Sequence, residues 1–396
     1  MSELMLQAIV FTGLAVLVFG GLTWFVFLSP LKAPVQAAPL SRRWVLALSI
    51  LLSLSMFQGF LGGWWDASLH IKTGLIPAGE DFLWPPHLLL YSAFLIMLVI
   101  GLVGLIRMAF PALRAGILDP RRWLRAQPQL AIVCVASLYV LMTIPGDAIW
   151  HLLFGVDLTA WSPPHMLIAF MMYMIFFAVI SLLISTYSTP RAFGLNLALL
   201  ALLGLMANVM YVAGVVEWEF PDPVNLNVAA RPVWAYPVVV GAIGVFCGGL
   251  AKRLVPGRWS ATVTALVFYA MRAFVNAWLT FNDTVAPTMP LVFILGAVLM
   301  DVAEWREIRL AWRRVLISAA AFTLGYCGLS LPQASQHPYL SALPANLVLT
   351  IVIIFALSVA LLFAAEAIAD RLNGAALHRA GSSLPKPELS KAGATD

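Results

Sequence analysis

Four of the six histidines in this chain fall into one pattern that occurs twice. Asp66 and His70 are followed by Pro85-Pro86-His87, and Asp147 and His151 by Pro163-Pro164-His165. Asp and His four apart share one face of a helix, one turn apart. Both then reach one ion, or the carboxylate orients the imidazole. The third residue, His87 or His165, opens the next helix behind two prolines that fix the entry of the chain. Two imidazoles and a carboxylate suit copper, zinc or iron, and the lack of thiolate argues against a structural zinc cage. Cys134, Cys247 and Cys327 all lie in apolar runs and read as small core residues. The plainer reading of either copy alone is an interfacial anchor. It would consist of a solvated His, an Asp at a helix end, and an aromatic belt of Trp64, Trp65, Trp84, Trp150 and Trp161. Repetition of the whole pattern favours metal, because ionisable groups between apolar runs are expensive and usually functional.

The elements that carry these residues are membrane helices. Of the 396 residues, 62% are hydrophobic and only 10% charged, with a mean hydropathy of +0.94. A soluble domain would carry about a quarter charged residues. The composition predicts an all-α, polytopic integral membrane protein of about eleven transmembrane helices. The apolar runs lie near 8–28, 44–64, 87–109, 129–150, 165–186, 193–216, 232–251, 259–280, 289–308, 312–330 and 343–367. The first lacks an Ala-x-Ala-like site after it and reads as a retained helix. Residues 1–372 read as one transmembrane domain. Helical-hairpin repeats are expected near 44–110, 129–187, 193–252, 259–309 and 312–368, before a disordered cytoplasmic tail at 373–396.

Charge sets the orientation. Arg42, Arg43, Arg107, Arg114, Arg121, Arg122, Arg125, Lys252, Arg253, Arg258, Arg313 and Arg314 fall in alternate loops, with Arg371 and Arg379 beyond the last run. The positive-inside rule makes these loops cytoplasmic. The N-terminus is then outside an inner (plasma) membrane, the C-terminus inside, and both Asp/His patterns face outward. The net charge of +5 follows this topology and implies no nucleic-acid partner. Several outward loops start with a polar residue and finish with prolines. Glu217 precedes Pro232 and Pro237, Asn276 and Asp283 precede Pro287 and Pro290, and the fifth hairpin keeps Pro332, His337 and Pro338.

Other ionisable residues are weaker candidates. Glu217, with Trp218 and Glu219, reads as a further carboxylate ligand or proton relay, or as a solvated helix end. Asp157 lies in the second outward loop, close to the second pattern. Arg272 lies inside the eighth run and needs a partner, for which Glu217, Asp147 and Asp66 are candidates. Asp301 and Glu304 read as interface charges paired with Arg306 or Arg309. Met171, Met172 and Met174 read as packing.

Residues 147–173, DAIWHLLFGVDLTAWSPPHMLIAFMMY, resemble the metal-binding segment of the C subunit of the copper-dependent membrane monooxygenases, which oxidise methane or ammonia. That family has Asp-x-x-Trp-His, an acidic loop, and Pro-x-His opening a helix. The resemblance implies Asp147, His151 and His165 as copper ligands near the outer membrane surface. The stretch from Asn208 through Glu217-Trp218 to Pro237 resembles the next hairpin of that subunit. The loop here is one residue longer, the chain has more spans, and Asp66, His70 and His87 have no counterpart in the family. The expected function is a copper-dependent membrane oxidoreductase or monooxygenase-like subunit. It would act at the lipid bilayer, with other membrane or periplasmic subunits or further copies of itself as partners. The alternative is a non-enzymatic copper carrier, sensor or delivery protein, which needs ligands at several depths. A bis-His haem protein would place its histidine pairs within facing helices instead.

Overall fold

The computed structural model describes residues 40–73, 82–154, 162–187, 192–220, 235–255, 257–303, 310–333 and 347–382, with scattered positions between 13 and 30. The first apolar run falls mostly outside these residues, as do Asp157, His337, Glu80 and Asp81 in the loop before Pro85, and the side chain of Glu217. Eleven helices follow in order: α1 (Arg42–Thr73), α2 (Pro85–Arg114), α3 (Pro120–Ala126), α4 (Pro128–Phe154), α5 (Pro163–Thr186), α6 (Phe193–Val215), α7 (Ala235–Leu254), α8 (Ser260–Phe281), α9 (Ile294–Ala303), α10 (Ala311–Gln333) and α11 (Leu347–Ser382). Among the described residues, nine of these are long and apolar enough to cross a membrane. The chain is an all-α polytopic membrane protein.

The helix starts follow local chemistry. Proline occupies the first turns of α2, α3 and α5, where its missing N–H is not needed. The Asp119 side chain caps the short α3 by accepting from the Arg121 backbone N–H at 3.0 Å. Helices α1, α2, α4 and α5 pack pairwise in a closed ring: α1 on α2, α2 on α4, α4 on α5, and α5 on α1. A second group, α7 to α11, packs around α7, and α6 lies between the groups. The outer faces carry Leu54, Leu95, Ile106, Phe170 and Leu324, all exposed as a lipid-facing surface requires.

Two close approaches rest on glycine. A Cβ on Gly62 would lie 2.9 Å from Leu90 Cγ and 3.2 Å from its backbone N, so α1 and α2 meet nearly backbone to backbone just before Asp66. A Cβ on Gly325 of α10 would lie 2.6 Å from the Gly296 backbone N of α9.

One predicted span differs. In the described part of the run 289–308, a non-helical segment leads into the helix Ile294–Ala303. Pro287 and Pro290 remove two backbone donors from that segment. Its carbonyls are taken up by neighbouring side chains. Ser68 donates to Val285 O at 2.6 Å, Asn276 to Pro287 O at 3.0 Å, Arg272 to Thr288 O at 2.8 Å, and Tyr269 to Pro290 O at 3.1 Å. Irregular backbone at membrane depth survives when it is buried in protein with its polar groups satisfied in this way. Residues 304–309 lie outside the described part, and with them Glu304, Arg306 and Arg309. Asp301 does not wait for those arginines. It pairs with Lys252 at 3.0 Å and accepts from the Thr262 backbone N–H at 2.8 Å, capping α8.

Candidate metal centre

Helix α1 delivers Asp66 and His70 on one face, and α2 brings His87 from its first turn. Asp66 Oδ1 lies 2.8 Å from His87 Nε2 and 3.6 Å from His70 Nε2. One ligand atom from each of the three residues lies within 4.8 Å of the others. Two ligands held about 2.0–2.1 Å from a tetrahedral ion are themselves about 3.3 Å apart. Both contacts to Asp66 are close to that spacing. The group therefore has the donor types and the separation to hold a metal ion, and all three side chains are largely buried. Trp84 stands beside His70 with ring centres 5.5 Å apart, and Tyr91 stacks on His87 at 5.8 Å.

The second copy has the same parts in a looser arrangement. Asp147 Oδ2 lies 3.5 Å from His151 Nε2, and Asp147 Oδ1 lies 3.6 Å from His165 Nε2. Asp66 offers a single oxygen to both rings, whereas Asp147 divides its two oxygens between them. Among the described residues, only the first triad has three ligand atoms so closely gathered. Pro145 lies inside α4, two residues before Asp147, and leaves the Leu141 carbonyl without its helical donor.

Both triads border one cavity of about 190 Å3. Asp66, His87, Asp147 and His165 form its polar part. Gly59, Phe94, Met172, Val209 and Val212 are among the apolar residues lining the rest. Met171 and Met172 are buried as packing residues, and Met172 also forms part of the chamber wall.

Behind this wall lies a polar network that the sequence reading left unassembled. The Glu219 carboxylate is fully buried and accepts from the Tyr211 hydroxyl at 2.5 Å, from the Tyr236 hydroxyl, and from Arg272 at 3.1 Å. Arg272 is 1% exposed and stacks over Trp64 at 3.8 Å. Among the described residues its ion-pair partner is Glu219; of the three candidates the sequence suggested, Asp66 and Asp147 are not that partner, and the Glu217 side chain lies outside the described part. Glu219 is thus not a solvated helix end. Both members stood out in the sequence, Glu219 beside Trp218 at the end of an apolar run and Arg272 inside another, but no spacing rule links residues 53 positions apart.

No family model, curated protein or solved structure matches this chain.

Proposed function

We propose that this chain is a membrane metalloprotein of the oxidoreductase type. Asp66, His70 and His87 bind a first-row transition ion, copper by the likeness of residues 147–173 to the monooxygenase C subunit. Asp147, His151 and His165 are the second ligand set by the same likeness. The observation that carries the reading is the Asp66 carboxylate, flanked by two imidazoles at 2.8 and 3.6 Å at the mouth of an apolar chamber. Copper, when bound, supplies one-electron redox chemistry. The residues do the remainder. His70 and His87 supply neutral nitrogen donors, Asp66 offsets cationic charge, and Phe94, Met172 and Val209 exclude water. A cavity of about 150 Å3 lined by aliphatic and aromatic side chains binds benzene, so the chamber suits a small, largely apolar molecule. A carrier would need ligands along a path through the bilayer, and the chamber below the triads is apolar.

Metal analysis of the purified chain tests this reading. Native protein should retain copper, zinc or iron at one ion per chain or more, and His70→Ala and His87→Ala should each hold less. Equal metal content in native protein and both variants would end the proposal.

A further inference from the structure

The two triads are related by more than sequence. In each, an Asp and a His one turn apart end a long helix, and a His behind two prolines opens the next. The residues that start the second helices have nearly the same backbone, with φ −61° and ψ 148° at Trp84 and φ −62° and ψ 151° at Ser162. Each carbonyl accepts the first helical bond at the same length, 2.9 Å from Leu88 N–H and 2.9 Å from Met166 N–H. The four helices form the closed ring α1–α2–α4–α5, so every wall of one bundle supplies ligand residues to its interior. The two sets also meet across the chamber. Asp66, His87, Asp147 and His165 line the same cavity.

From this juxtaposition we infer that the two Asp/His/His triads are the halves of one binuclear centre, with two first-row transition ions facing each other across a shared chamber. The inference rests on the metal-binding reading above and adds to it the number of ions and their mutual proximity. Two divalent ions against two carboxylates leave an excess of positive charge in a low-dielectric interior. Such a centre favours an anionic ligand between the ions.

Copper(II) serves as the probe. The full-length chain, purified in detergent and stripped with a chelator, is titrated with copper(II), and bound copper is counted by elemental analysis alongside electron paramagnetic resonance. The expected result is two ions per chain with a dipolar-split or spin-coupled spectrum. His70→Ala and, separately, His151→Ala should reduce this to one ion with the spectrum of isolated copper(II). The native spectrum decides the matter even if a variant fails to fold. Two ions with spectra of isolated centres would overturn the inference. So would a single ion that is lost in His70→Ala and retained in His151→Ala, although the proposed function would then stand. A native chain that binds no copper, zinc or iron would overturn both.

Discussion

At the scale of the residue, Asp66 meets both of its imidazoles through one oxygen, whereas Asp147 meets its two through different oxygens. Six ligand-type residues could be read from a repeated spacing because helical periodicity alone places Asp66 beside His70 and Asp147 beside His151. Spacing does not say which carboxylate oxygen a ring approaches, so the difference between the compact first triad and the divided second one was invisible. The Glu219–Arg272 pair was hidden for another reason, since its members come from the turn after α6 and from α8. Their burial gives a clear prediction. Glu219→Gln keeps the shape of the side chain but leaves a buried guanidinium without its counter-charge, which costs about 3–5 kcal/mol. Thermal unfolding in detergent should show a marked fall in stability, and a variant as stable as the native chain would mean that water reaches Arg272.

At the scale of the element, apolar runs located most helices but not their ends. The run near 44–64 becomes a helix from Arg42 to Thr73, because the polar turn carrying Asp66 and His70 still satisfies its backbone within the helix. The run near 289–308 opens on a non-helical entry before its helix, since Pro287 and Pro290 forbid a regular start and side chains from α1 and α8 replace the lost partners. Hydropathy registers neither effect. Helix packing is likewise set by contacts that composition does not encode. The Gly325 contact with the Gly296 backbone leaves no room for a methyl group, and backbone cannot rotate aside. Gly325→Ala should therefore push α9 from α10 and lower stability by about 1–3 kcal/mol, read as a lower melting temperature. An unchanged melting temperature would show that the two helices slide freely.

At the scale of the whole molecule, helix length fixes where the centre lies. At 1.5 Å per residue, Asp66 is about 36 Å along α1 from Arg42, and Asp147 about 28 Å along α4 from Pro128. Each distance is close to the thickness of a bilayer core, about 30 Å, so both triads stand about one core thickness along their helices from the arginine-rich end. Orientation can be checked with a membrane-impermeant maleimide on intact cells, since all three native cysteines are buried. Lys72→Cys should be labelled from outside, and Arg258→Cys only after permeabilisation; the reverse pattern would invert the topology. The bundle is a pair of near-copies, but the copies differ in their backbone bonding. Pro145 removes a rung from the helical ladder just below Asp147, and the corresponding turn below Asp66 has no proline. The chamber therefore has one wall whose helical carbonyls are all spoken for at this level and one where a carbonyl is released from the ladder.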